Sequence, residues 1–548
     1  MSSITGAEIV AETLKNAGVR HVFGVVSIHN MPIVDAIGRL EGIEMLSVRS
    51  EQSATHMADG YARATGGLGV SLGSTGPGTT NTVTGIYESA YASSRVLVVT
   101  GQAETTFYGK GKGYVHEAEN QKIMLESVAR RVASPKYLAE LEGQLISVIS
   151  DIFSARPQPG AIEIPIDLQY ASVDSPALEI SLPSPVIASP ETMSQAVEVI
   201  RNSKRRVILA GGGVAISGAS EMLREFAEQI EAPVITTPNG KGALRDDHPL
   251  HLGTVLISTG SLQASLKDAD LLIAVGTRFQ AGVAGRQLEV SLPPIVHIDV
   301  DPRNINLNHQ VKVGVVGDAK STLASLQASG IEKGDSPFRE QLKEAAIEAK
   351  AKNVKMLGRD HESILNSMSK YMDRDAYFVR DNTIPGYYWG NGLLPVYKPG
   401  GYIFPASGAI GPGLPLGMGV AVATGVKTIV MHGDGGFMYH IGELATAVQY
   451  QMPIVVVVFN DGGYGVLRGL QSRRFEGRIN QTELYTPNFL KLSESMGVKG
   501  LYADNAEEFD DRLDEAMNIS GPVLIEINAS TMVPIEGIVP APDKNRTS

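Results

Sequence analysis

Three α/β domains, each a parallel sheet flanked by helices, are the fold class this chain predicts. Three observations carry that expectation. Strand-like apolar runs alternate with amphipathic helical patterns almost from end to end. At 548 residues the chain is too long for a single core. The alternation also breaks twice. Near residues 171–192, "ASVDSPALEISLPSPVIASPET" holds four prolines and little periodicity, which reads as a linker. Residues 331–360 are Lys/Glu/Ala-rich and helical, a second connector.

The first set of strands is "HVFGVV", "LGVSLGS", "RVLVVTG" and "GAIEIPID". The second is "RRVILAGGG", "APVITTP", "DLLIAVGTRF" and "PIVHIDVDP"; the third opens at "DAYFVRDN" and closes at "GPVLIEINAS". The expected domains are 1–170, 190–330 and 360–548, all of similar α/β type and without a short-period repeat. At the N-terminus "MSSITGAEIVAETLKNAGV" reads as a helix rather than a signal peptide. Thr5 and Glu8 make a capping box, Ile9, Leu14 and Ala17 share a face, and Gly18 stops it. The tail "VPAPDKNRTS" reads as a solvated end.

Hydrophobic residues make up 43% and charged residues 19%, the balance of a well-buried globular protein. The formal charge is −12 with no basic run, so nucleic acid is not an expected partner. No apolar stretch approaches the roughly 18 residues of a membrane span. There are no cysteines, which excludes disulfides, thiolate nucleophiles and Cys-ligated metals. It also fits a reducing, cytoplasmic location.

The chemistry begins in "TIVMHGDGGFMYHIGELATAVQYQMPIVVVVFNDGGYGVLR". Two apolar runs each end in an acidic, glycine-rich tip. The pattern predicts a strand ending near His432, one short helix over about 440–451, and a second strand over 453–460. Parallel neighbours place both tips at the carboxyl edge of a sheet, where open α/β sheets bind ligands. Asp434 and Asp461 then face each other and repel unless a cation lies between them. Mg²⁺ is the simplest such cation, because it takes oxygen ligands. Gly435 and Gly436 would bare backbone N–H groups ahead of the helix and cradle an anion. Together these point to a phosphate or diphosphate. The alternative is a pair of ordinary turns with solvated carboxylates, which the paired spacing disfavours. The P-loop pattern is absent.

At this motif the sequence resembles the thiamine diphosphate-dependent enzymes. "GDGGFMYHIGELATAVQYQMPIVVVVFND" is similar to their cofactor motif, and residues 3–530 are similar to the acetolactate synthase, pyruvate decarboxylase and benzoylformate decarboxylase group. The resemblance implies that the three domains are pyrimidine-binding, central and diphosphate-binding. It implies that Asp434 ligates Mg²⁺, that Asp461 stands where the family has Asn, and that Gly463 offers a backbone carbonyl. Asp for Asn adds a negative charge beside the diphosphate, so Asn460 is an alternative ligand. Glu51, in "VRSEQSATHMADGYARATG", would be the acid beside the pyrimidine ring, with Ser50 capping its helix. A glutamate in a first helical turn can equally serve only the helix dipole. In "PASGAIGPGLPLGMG", Ile410 would be the wedge that bends the cofactor and Gly408 the carbonyl that holds its amino group. The alternative for Ile410 is a core residue. Asp381, Asn382 and Thr383 would meet the diphosphate, although "DNTIPGYYW" departs from the family pattern. A cofactor reaching from Glu51 to Asp434 implies active sites between subunits of a homodimer or homotetramer.

His29, in "GVVSIHNMP", stands where benzaldehyde lyase has a histidine, and His116, in "GYVHEAENQ", where acetolactate synthases have Gln. Either could relay protons or be incidental. Val466 and Leu467 would line the substrate pocket. "GTRFQAGVAGRQ" keeps Arg278 and Phe279 of the flavin segment of acetolactate synthases and loses its two Asp residues, which leaves FAD open. The reading favoured is a thiamine diphosphate- and Mg²⁺-dependent carboligase of acetolactate synthase type, acting on pyruvate or another 2-oxo acid. The alternatives are a 2-oxo acid decarboxylase, an aldehyde lyase, and a cofactor-binding protein without turnover.

Overall fold

The computed structural model describes residues 3–174, 180–254, 266–280, 292–372 and 375–538. The chain tail and part of the flavin-like segment, from 281 onward, lie outside the described residues. Three six-stranded parallel sheets organise the rest. The first runs Glu44–Ser47, His21–Gly24, Gly69–Gly73, Val96–Gln102, Gly160–Pro165, Arg131–Ala133. The second runs His251–Thr254, Val234–Thr236, Arg206–Ala210, Leu271–Val275, Ile295–Asp299, Val313–Val316. The third runs Tyr402–Ile403, Tyr377–Arg380, Thr428–Gly433, Ile454–Asn460, Val523–Asn528, Lys499–Ala503.

With strands ranked along the chain within each sheet, the first and third sheets share the order 2-1-3-4-6-5. The second has 3-2-1-4-5-6. The three units are therefore one type used twice and a different doubly wound type between them. In each sheet the order reverses beside the first strand, and ligands of open parallel sheets bind outside the carboxyl ends at that point. It lies between Gly24 and Gly73 in the first sheet, Ala210 and Val275 in the second, and Arg380 and Gly433 in the third.

The N-terminal helix, Gly6–Asn16, has the expected reciprocal Thr5–Glu8 capping box, and Gly18 follows it with φ +84°. The 171–192 segment is not wholly irregular, since Ser172–Val173 pairs antiparallel with Ile4–Thr5. The second connector is packed rather than free. Its helical stretch Ser336–Met372 breaks at Gly358 (φ 73°, ψ 164°). Phe338, Leu342 and Ala349 before the break join the core of the central unit, and Leu365 and Met368 after it join that of the third.

First and third units share a core. Helix Glu51–Thr65 opens on Ser50, whose side chain accepts from the Gln52 amide, and ends on left-handed Gly66. It crosses helix Gly413–Thr424 at backbone distance. A Cβ on Gly60 would lie 2.1 Å from the Leu416 carbonyl oxygen, and one on Gly419 would lie 2.0 Å from that of Met57. Only glycine permits this approach. Around the crossing, Phe23, Met57 and Tyr61 pack with Leu414, Met418, Phe437 and Leu444.

Candidate functional site

The acidic tips sit where parallel pairing puts them. Strands Thr428–Gly433 and Ile454–Asn460 are direct neighbours, His432 opposite Val458. Asp434 and Asp461 follow their ends, and the Asp461 amide approaches Asp434 Oδ1 at 3.4 Å. Asp434 is fully buried, and its Oδ2 has no hydrogen-bond partner. Burial, and after it the neighbouring Asp461, pushes the Asp434 carboxyl up to about 8. Burial also raises Asp461, which Arg468 opposes from 3.3 Å. An orphaned buried carboxylate oxygen beside a second carboxylate is a donor set that fits a hard cation. Among the described residues no group of three or more His, Asp or Glu side chains could hold a metal ion, so the remaining ligands of such a cation would come from backbone and ligand oxygens.

Asn460 faces elsewhere. Its amide nitrogen donates to Glu526 at 2.8 Å, and its oxygen accepts from the Gly462 amide at 3.2 Å. Gly463 is braced against the chain at Thr482–Glu483: it bridges Glu483, and its own Cβ would lie 2.0 Å from the Thr482 carbonyl oxygen. Val466 is half-buried and Leu467 48% exposed beside it.

Between the tips the structure has two short helices, Asp434–Phe437 and Glu443–Gln449, where one was expected. Gly435 and Gly436 thus lie inside the first turn rather than ahead of it. Glycines at 435, 436 and 442 weaken helix propagation. The intervening His440 is also drawn aside, its Nδ1 2.9 Å from Ser53 Oγ of the first unit.

Asp381, Asn382 and Thr383 border the same point. Asp381 is buried and accepts from the amides of Asn382, Gly411 and Gly413. The Asn382 side chain accepts from Arg380 at 2.8 Å and donates to the Ala409 carbonyl at 2.6 Å. Both side chains therefore hold the Ile410 segment. The Thr383 hydroxyl lies 3.2 Å from where a Gly433 Cβ would be. Ile410 is half-buried and outside the core clusters, and Gly408 is exposed at φ +86° with open space around it.

The other expected residues gather at the first sheet. Glu51 is 9% exposed and accepts from Asn81 Nδ2 at 3.0 Å. A Cβ on Gly78 would lie 2.8 Å from its Oε1. Gly76, two residues earlier, lies under the His116 carbonyl. His116 is exposed at φ +65°, and its ring centroid is 5.3 Å from that of buried His29. Burial, and then His116, lowers the His29 pKa, which favours neutral imidazole. Glu51, His29 and His116 thus share one edge. No hydrogen bond or ion pair joins Glu51 to the Asp434–Asp461 pair among the described residues.

A concavity of about 650 Å³ opens at the switch point of the central sheet. Gly212, Gly276, Arg95, Arg156 and Arg278 line it. Among the described residues these arginines bond to backbone carbonyls, Ser93 and Gln280 rather than to carboxylates. Burial, and then Arg278, pushes Arg156 down to about 10.

Sequence reasoning missed Arg468, Arg63 and Glu88. Arg468 is 1% exposed and neutralises the extra carboxylate at 461; a lone cation seven residues past an unusual Asp was the available signal. The amides that Glu88 accepts from, at Ala406 and Ser407, lie 318 and 319 residues away, and no local pattern points to them.

The N-terminal binding-domain model of the thiamine pyrophosphate enzymes matches residues 4–124, the central-domain model 193–326, and the C-terminal binding-domain model 387–527. The chain is 32% identical over 563 residues to a probable acetolactate synthase large subunit of Methanocaldococcus jannaschii, covering 97% of this chain and 94% of that protein. It is 29% identical over 554 residues to the acetolactate synthase isozyme 2 large subunit of Escherichia coli, covering 98% of each. To the acetolactate synthase of Arthrospira platensis it is 29% identical over 568 residues, covering 96% and 94%.

Proposed function

We propose a reaction and a set of working residues for a chain that belongs to the thiamine pyrophosphate enzymes and is a thiamine diphosphate-dependent carboligase of acetolactate synthase type. The reaction is decarboxylation of pyruvate or a related 2-oxo acid, with transfer of the remaining acyl unit, two carbons in the case of pyruvate, to a second carbonyl compound. The observation that carries it is the buried Asp434–Asp461 pair with its orphaned oxygen. Such a pair suits Mg²⁺, which keeps waters and shares one or two carboxylates with a bound diphosphate. Thiamine diphosphate, when bound, supplies the carbon nucleophile and the electron sink.

The chain's own residues then divide the work. Asp434, Asp461 and the Gly463 carbonyl hold the cation. First-turn amides at Gly435 and Gly436, with Thr383 and the backbone at Asn382, receive the diphosphate. Ile410 and Gly408 would hold the ring, one by its side chain and the other by its carbonyl. Glu51 shares a proton with the pyrimidine nitrogen from a site that is nearly dry. His29 and His116 move protons at the substrate, beside Val466. Exposed apolar side chains flank both edges: Val26, Ile28 and Val115 near His29, and Met438, Leu467 and Tyr485 near Asp461. Patches of this kind mark surfaces that another chain covers. They support a homodimer or homotetramer in which each edge completes a partner's site.

The central cleft fits a dinucleotide such as FAD. The switch point, the glycines at strand ends and three guanidiniums that bond no carboxylate among the described residues all favour an anionic nucleotide. A visible absorption spectrum of the purified protein tests it. The main test is CO₂ release from a panel of 2-oxo acids, with products identified by mass spectrometry when an aldehyde or second oxo acid is offered. Ligated product is expected from the wild type and about 10³-fold less from Glu51→Gln. Free aldehyde as the sole product would overturn the carboligase.

A further inference from the structure

Ten residues, Phe404 to Gly413, link strand Tyr402–Ile403 to helix Gly413–Thr424 without a strand or helix of their own until the last. Gly408 and Ile410 lie at their centre. A segment whose task is to press on a ring needs its flanks held, because unpinned backbone disperses over many conformers. The downstream flank is held within its own unit, by Asn382 on the Ala409 carbonyl and by Asp381 on the amides of Gly411 and Gly413.

The upstream flank is held by the first unit. Glu88, fully buried on helix Pro77–Ala92, accepts from the Ala406 amide, from the Ser407 amide at 3.1 Å and from the Ser407 hydroxyl. Arg63 bonds Glu88 at 2.9 Å and the Phe404 carbonyl at 2.6 Å. The same guanidinium also serves buried Asp59 at 2.9 Å. Two buried carboxylates thus share one cation, and the amides of Ala406 and Ser407 supply the missing donors. Undocking the segment would leave a buried charge short of bonds, which is costly.

We propose that Glu88, steadied by Arg63, is a positioning residue that sets the Gly408–Ile410 segment for the cofactor ring. The two helices involved also serve Glu51. Helix Glu51–Thr65 carries Glu51 at its start and Arg63 at its end, and helix Pro77–Ala92 carries Gly78 and Asn81 against Glu51 at one end and Glu88 at the other. The proposal rests on the assignment of Gly408 and Ile410 to the cofactor.

The test uses Glu88→Gln and the milder Ser407→Ala in the full chain. In cofactor-free protein, amide hydrogen exchange across 405–411 should rise about tenfold in Glu88→Gln and about threefold in Ser407→Ala, as expected for losing bonds to a charged acceptor. Exchange in the central sheet should stay as it was. With Mg²⁺ present, thiamine diphosphate affinity and kcat should fall in the same order while KM for the 2-oxo acid holds. Unchanged exchange at 405–411 in both variants overturns the proposal, as does a loosened segment with unaltered affinity and kcat. Should Glu88→Gln fail to fold, Ser407→Ala decides alone. Ile410→Ala tests the underlying assignment separately: if it leaves affinity and kcat intact, the ring contact is refuted while the exchange result on Glu88 still stands.

Discussion

The first and third sheets have one strand order and two chemistries. At its switch point the first carries His29, and the Ser74–Gly78 turn beneath His116, with Glu51 beside that turn; the third carries Asp381 and Asp434. In the third, two carboxylates lie buried side by side, and burial, then Asp461, pushes Asp434 up to about 8. In the first, the carboxylate has a neutral amide partner, Asn81, and imidazoles share the edge. The difference teaches that a shared strand order sets where the switch point lies, while the few residues just past the strand ends set its chemistry; under the proposed function each edge receives one end of the cofactor.

If that division holds, the two edges fail differently. Glu51→Gln should lower turnover by about 10³-fold, within the range for a positioned acid, while calorimetric affinity for thiamine diphosphate with Mg²⁺ changes little. A large affinity loss instead would erase the distinction between the edges. Asp434→Asn should do the reverse first, weakening Mg²⁺-dependent cofactor binding by about 10²-fold, the scale of losing a charged contact in a buried site. Arg468→Met leaves Asp461 without its counter-charge. Cofactor affinity should drop about tenfold, and titrations at several Mg²⁺ concentrations should show that excess cation recovers part of it.

Smaller effects concern pH. A carboxyl whose folded pKa lies above its unfolded value of 3.8 contributes stability that is full below 3.8 and is lost as pH rises through about 8. Cofactor-free protein should therefore lose stability by thermal melting between pH 4 and 8 through Asp434, and Asp434→Asn should flatten that slope. A buried base has the opposite sign. Burial, then His440, holds His56 well below 6.5, so its contribution disappears as pH falls below 6.5. His56→Gln should soften the acid limb slightly and leave the limb set by Asp434 untouched.

Much of this is legible in the sequence. The alternation of runs gives the α/β class, and spacing gives the Asp434–Asp461 pair, because a βαβ unit has few ways to place two tips. The Thr5–Glu8 box and the Ser50 cap are local and were read correctly. The pattern predicts one continuous helix between the tips because propensity does not register Ser53 reaching His440 from another unit.

What the sequence by itself determined is everything carried by short-range rules: periodicity, caps, strand-end glycines, and the motif that identifies the cofactor class. Only the tertiary structure decided that Asn460 turns to Glu526, that Arg468 neutralises Asp461, and that Glu88 grips Ala406 and Ser407. It also decided that the outer sheets share an order the middle one lacks. Those facts depend on contacts between residues far apart in the chain. A side chain's partner across such a distance is set by how helices and sheets pack, which no local pattern encodes.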